Sequence, residues 1–159
     1  MAGGLFGTMD IAASGMTAQR LRLDVIANNL ANASTTRTPG GGPFRRQVPV
    51  FQERALPFWQ VLARRWRQSI PEATPGPGAV PVGGGVRVAA VVADPSPPRL
   101  VYDPGHPDAG PDGYVAYPNV DPLVEMVNLL AATRAYEANV TVFAAARAMA
   151  LRALEIGRG

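Results

Sequence analysis

Apolar side chains recur every third or fourth position through the first thirty residues. Leu5, Met9, Ala12, Met16, Gln19, Leu23, Ile26, Leu30 and Ala33 follow steps of four and three, and only Gln19 is polar. That spacing is a heptad-type stripe along one face of an α-helix. It predicts a helix about 40 Å long at a rise of about 1.5 Å per residue. Gly7 and Gly15 weaken it by roughly 1 kcal/mol each relative to alanine. It should stop near Asn32, because Ser34-Thr35-Thr36 and then the Pro39–Pro43 run cannot continue it.

The other end of the chain repeats the pattern. Asp121 is a suitable N-cap and Pro122 suits the first helical position, with nothing to break the helix from Leu123 to about Ile156. One apolar stripe runs through Leu123, Met126, Leu130, Thr133, Val140, Ala144, Leu151 and Leu154, interrupted by Glu137 and Arg147. A second runs beside it through Leu129, Ala132, Tyr136, Phe143, Ala146, Ala150 and Ala153, interrupted by Asn139. A face that wide implies more than one helical neighbour.

Between the helices the period shortens. Phe44–Phe51, Val86–Val92, Arg99–Tyr102 and Tyr114–Tyr117 read as short strands, with Pro49 favouring an edge position for the first. Asp94-Pro95-Ser96-Pro97-Pro98 and Asp103-Pro104-Gly105-His106-Pro107 are turn signals. Residues 55–70 suggest a short helix and 71–85 a flexible loop. The expected fold is α+β: long N- and C-terminal helices packing as a coiled-coil-like pair, joined by a small Pro/Gly-rich β module. The divisions are an N-terminal helix over 1–34, a β-rich module over 35–118 with a variable insert at 55–85, and a C-terminal helix over 119–159.

Composition narrows the chemistry. Of 159 residues, 17 are Gly and 16 Pro, concentrated in the middle, and the net charge of +3 is carried by arginine because the chain has no lysine. Schiff-base chemistry and a phosphate-loop lysine are excluded. There is no cysteine, hence no disulfide or zinc–thiolate site, and one histidine, His106, cannot supply a histidine-rich metal site. Asp103, His106, Asp108 and Asp112 form an acidic, proline-rich loop that could bind a metal ion loosely, but their order fits no calcium loop, and turn formation is the better reading. Gly83-Gly84-Gly85 precedes a strand instead of following one, so it is not a dinucleotide fingerprint. Arg64-Arg65-Trp66-Arg67 is a short basic cluster with no DNA-binding motif behind it. No cofactor, metal, nucleic acid or small-molecule substrate is expected. Residues 1–19 lack the pattern of a cleavable signal peptide, and no run of eighteen apolar residues is present to span a membrane.

Two such helices lack enough partner surface within one chain. A helix pair hides one seam, and the β module is too small to hide the second. Exposed stripes of this size mark intermolecular interfaces, so other chains are expected to complete them, with the ends ordering as they dock. The asparagines of ANNLANA (27–33) acquire two readings here. Buried Asn sets register between helices at some cost in stability, or these residues terminate the helix. Asn28 and Asn32 share a face, while Asn29 points elsewhere, towards a different neighbour or the backbone.

At these residues the sequence resembles the flagellar axial protein family of rods and hooks, and within it the proximal-rod branch. The similarity is carried by DIAASGMTAQRLRLDVIANNLANASTTRTPGGGPFRRQ (10–47), DPSPPRLVYDPGHPDAGPDGYVAYPNV (94–120) and EMVNLLAATRAYEANVTVFAAARAMALRALEIGR (125–158). These cover about two-thirds of the chain. ANNLAN alone marks the wider family, whereas TTRT with GGPFRRQ, and VYDPGHPDA, mark the branch. Ser34 stands where the family commonly has Asn, and 55–81 has no counterpart in the resemblance.

The resemblance implies a structural subunit of the bacterial flagellar basal-body rod. Its partners would be other rod proteins and copies of itself, the flagellar export apparatus and the membrane-ring base, without insertion into the membrane. It would leave the cytoplasm through the flagellar type III system and transmit torque around the export channel. The expected interface comprises Met9, Met16, Leu23, Ile26, Asn28, Asn29, Leu30 and Asn32 on the first helix. On the second it comprises Leu123, Met126, Val127, Leu130, Arg134, Tyr136, Glu137, Asn139, Val140, Phe143 and Leu151. Arg134 and Glu137, three apart, pair either locally or across subunits. The alternatives are another rod–hook axial protein or an export adaptor, which would form a stable soluble complex. An enzyme would need convergent ionisable groups, for which the sequence offers no candidates.

Overall fold

The computed structural model describes residues 2–55 and 83–157 together with Leu62 and Trp66. In chain order it contains α1 (Ala2–Ala31), β1 (Gln47–Glu53), β2 (Val86–Ala93), β3 (Arg99–Tyr102), β4 (Tyr114–Tyr117) and α2 (Pro122–Ile156). The short helix expected within 55–70 and the loop expected over 71–85 lie outside the described residues, apart from Ala55, Leu62, Trp66 and residues 83–85.

Local chemistry sets the helix ends. Asp121 has extended backbone, and its carboxylate accepts from the amides of Leu123 and Val124 while Pro122 occupies the first turn. These are the amides a helix leaves without intrahelical partners. At the end of α1, Asn32 folds back: its Nδ2 donates to the Asn28 carbonyl at 2.9 Å, and its Oδ1 accepts from the Thr35 hydroxyl at 3.2 Å. Asn32 therefore closes the helix, as one of its two sequence readings held.

The helices run antiparallel. Asn29 near the end of α1 meets Glu125 near the start of α2, and Gly15 in mid-α1 meets Asn139 in mid-α2. At Gly15 they approach closely: a Cβ there would lie 2.8 Å from Asn139 Oδ1. The glycine that weakens an isolated helix thus permits close packing of the pair. The seam is built mostly from small side chains, with Ala12 and Ala18 of α1 and Ala132 and Ala146 of α2 buried in it. Larger buried side chains gather towards the sheet end: Val25 and Ile26 from α1, then Val115, Pro118 and Val120.

The β portion is two separate antiparallel ribbons, β1–β2 and β3–β4. β1 starts at Gln47, three residues later than the pattern suggests, because the residues before it bond elsewhere. Phe44 N–H donates to the Thr35 carbonyl, and Arg46 N–H donates to Asn119 Oδ1. Pro49 lies opposite Val91, one residue before a register shift between Val50 and Phe51. Both strands of a two-stranded ribbon have an open edge, so the missing proline N–H costs no interior ladder bond. In the second ribbon Tyr102 lies opposite Tyr114, their rings edge to face at 5.3 Å.

Candidate assembly interface

A buried charge holds the ribbons to the helices. Glu125, one turn into α2, is 1% exposed. Its Oε1 accepts from Arg46 Nη2 at 2.6 Å and Arg46 Nε at 2.8 Å, and its Oε2 accepts from Asn29 Nδ2 at 3.2 Å. Asn29, equally buried, donates from Nδ2 to the Gln47 carbonyl at 2.8 Å, and its Oδ1 accepts from the Gln47 N–H at 2.8 Å. One amide side chain thus captures both backbone groups of the first residue of β1. Arg46 also faces Asp94 at 3.7 Å. Hydrogen bonds from Ser96 hold the Asp94 carboxyl below its ordinary value, with Arg46 adding to the effect. Stability linked to that shift is fully present above pH 3.8 and is lost as pH falls below it.

Sequence reasoning placed Asn29 away from Asn28 and Asn32, and its partner is the chain's own backbone. It missed Arg46 and Glu125 as a pair. They lie 79 positions apart, and no periodicity links such residues. Glu125 gave no local signal, because a carboxylate in the first turn of a helix is favoured by the helix dipole whether or not it is paired.

The ribbons are fastened at further points. The Ser14 hydroxyl accepts from Val86 N–H at 3.1 Å, and Gly85, at φ +101°, lets the strand start against Ser14 and Ile11 without a Cβ in the way. Thr36 Oγ1 donates to Asp108 Oδ2 at 2.8 Å. In the acidic loop Asp103 accepts from Gly105 N–H, and His106 Nδ1 accepts from Asp108 N–H. These residues serve the turn.

α2 presents two faces. Ala132 and Ala146 are buried against α1, with Leu129, Tyr136, Asn139, Phe143 and Ala150 half-buried beside them. The stripe of Leu123, Met126, Leu130, Val140, Leu151 and Leu154 is exposed, and Leu123, Leu130 and Leu154 show 71, 59 and 68% of their surface to solvent. The helix pair therefore covers one seam of α2 and leaves the other open. Among the expected interface positions, Leu123, Met126, Val127, Leu130, Arg134, Glu137, Val140, Leu151 and Asn28 are exposed. Met9, Met16, Leu23, Leu30, Asn32, Tyr136, Asn139 and Phe143 are half-buried, and Ile26 and Asn29 are buried inside the chain. Among the described residues Arg134 and Glu137 form no ion pair, so the local pairing does not occur. No described helix is long and apolar enough to cross a membrane.

The two helices that leave this apolar face unmatched also carry matches to known protein families. Residues 9–37 match the family model for the flagella basal body rod protein, and residues 112–156 match that for the C-terminal part of the flagellar basal body rod FlgEFG proteins. Among similar relatives is the flagellar basal-body rod protein FlgC of Borreliella burgdorferi, 46% identical, with 98% of this chain and 99% of the relative covered. FlgC of Bacillus subtilis is 42% identical (96% and 98% covered), and FlgC of Escherichia coli O6:H1 is 42% identical (97% and 98% covered). The chain belongs to the flagellar basal-body rod protein FlgC family.

Proposed function

We propose that this structural subunit of the flagellar rod polymerises through the open stripe of α2, with copies of itself and with sister rod proteins. The helix pair forms part of a wall around the export channel, and the ribbons face outward. The chain reaches that position through the flagellar type III export apparatus and is seated on the membrane-ring base. Its role is mechanical, transmitting torque, with no catalytic step.

The observation that carries this reading is the line of large aliphatic side chains left open along α2. Burying each such side chain contributes about 1.5–3 kcal/mol, and no described element of the chain covers them. A stripe on one side of a subunit, meeting a different surface on the next, gives head-to-tail contacts, which extend into a helical tube where the rotation between copies does not close a ring.

Replacing Leu130 and Leu151 together by Asp in a strain lacking this gene tests it. The expected outcome is normal expression and helix content, loss of the chain from purified basal bodies, and loss of swimming. Swimming at the unaltered rate overturns the interface role.

A further inference from the structure

Two charged side chains of opposite sign, Glu137 and Arg22, stand without an ion pair beside large apolar side chains. Glu137 lies in the middle of the open stripe of α2, between Leu130 and Val140, with its carboxylate exposed and without an ion pair among the described residues. Arg22 of α1 lines a cleft of about 280 Å³ with Ile26, Val48 and Phe51, and the Arg46–Glu125 pair lines it as well. Glu125 is already committed to Arg46 and Asn29. Arg22 is a half-buried residue, and its guanidinium has no hydrogen-bond or ion-pair partner among the described residues. The cleft is thus shaped and charged for an aliphatic stem ending in a carboxylate. A larger cleft between α1 and β2 contains Asp24 beside Arg20, and that carboxylate would repel an incoming one.

We propose that Glu137 of one copy seats in the Arg22 cleft of the next copy, fixing the register in which the open stripe docks. This rests on polymerisation through the α2 stripe and adds its counterpart surface. The stripe supplies non-directional attraction that tolerates sliding. A single charge pair closed between apolar walls rejects the slipped alternatives, which would leave both charges uncompensated. Donor and acceptor lie on different faces of the same molecule, so each copy offers one of each to its neighbours.

The chain has no cysteine of its own, which makes a disulfide trap clean. The full chain carrying Arg22→Cys with Glu137→Cys, produced in flagellated cells lacking the native copy, is oxidised in purified basal bodies. Multimers of this chain held by disulfides are expected, and neither single substitution should give them. In parallel, Arg22→Glu and Glu137→Arg should each lower swimming by about tenfold, and the two together should restore it to within about twofold of the unaltered chain. Basal bodies that contain the chain but give no multimers, or only an internally linked monomer, overturn the pairing while leaving the rod role intact. Failure of the double reversal to restore swimming, in a chain with normal helix content, overturns it equally. If the unaltered chain is missing from basal bodies, the rod role itself fails.

Discussion

Arg46 and Glu125 are unequal partners. Glu125 is almost fully enclosed, whereas about a quarter of the Arg46 side chain (27%) reaches solvent and lies within 3.7 Å of Asp94. Removing Glu125 leaves a cation that water and Asp94 still stabilise. Removing Arg46 leaves a buried carboxylate held only by Asn29. Breaking a buried pair costs about 3–5 kcal/mol. Glu125→Gln should fall at or below the low end of that range and Arg46→Met near the top, as read from urea denaturation midpoints. Equal losses would contradict the asymmetric burial. Gln19 is a second residue-level case: its Oε1 is buried without a hydrogen-bond partner among the described residues. A carbonyl left in that state costs about 1–3 kcal/mol. Gln19→Met, similar in shape and without the orphan oxygen, should raise the melting temperature, and a fall would show that the amide is needed.

At the scale of elements, the seam between α1 and α2 depends on Gly15. Alanine is the better helix former by roughly 1 kcal/mol, yet a Cβ at 15 runs into the Asn139 amide, which is held by its 2.8 Å bond to the Ala135 carbonyl. Gly15→Ala alone should therefore destabilise the chain. Gly15→Ala with Asn139→Ala should recover that loss and show strong non-additivity in a double-mutant cycle. Additive effects would mean that the two residues do not touch. The helices themselves were legible from the sequence because amphipathic spacing and the Asp121-Pro122 cap are local signals. β3 and β4 fell where the alternation placed them for the same reason. The start of β1 was displaced by bonds to Thr35 and Asn119, partners that lie beyond any local window. The weakening glycine was legible as a defect, but its use as a contact point required the partner helix.

At the scale of the molecule, the division of α2 into a covered and an open stripe was legible in the sequence, since one helix cannot cover a face that broad. What joins the ribbons to the helices was not, because Asn29, Arg46 and Asp94 come from three distant stretches of sequence and Asn119 and Glu125 from a fourth. These ties cluster at one end. The Asn29–Gln47 bonds, the Arg46–Glu125 pair and the buried Val115, Pro118 and Val120 all lie where α1 finishes and α2 begins. Further along, apart from the Ser14–Val86 bond, Gly15 meets Asn139, and the buried positions are alanines that offer little apolar area.

The molecule is thus fastened like a zip with its stop at Asn29. Thermal opening should begin at the tips near Phe6 and Leu151 and travel towards the stop. Amide deuteration of the isolated chain should then be fast at both tips and progressively slower towards Val25 and Glu125. A neighbouring subunit bearing on α2 would close the loose end first.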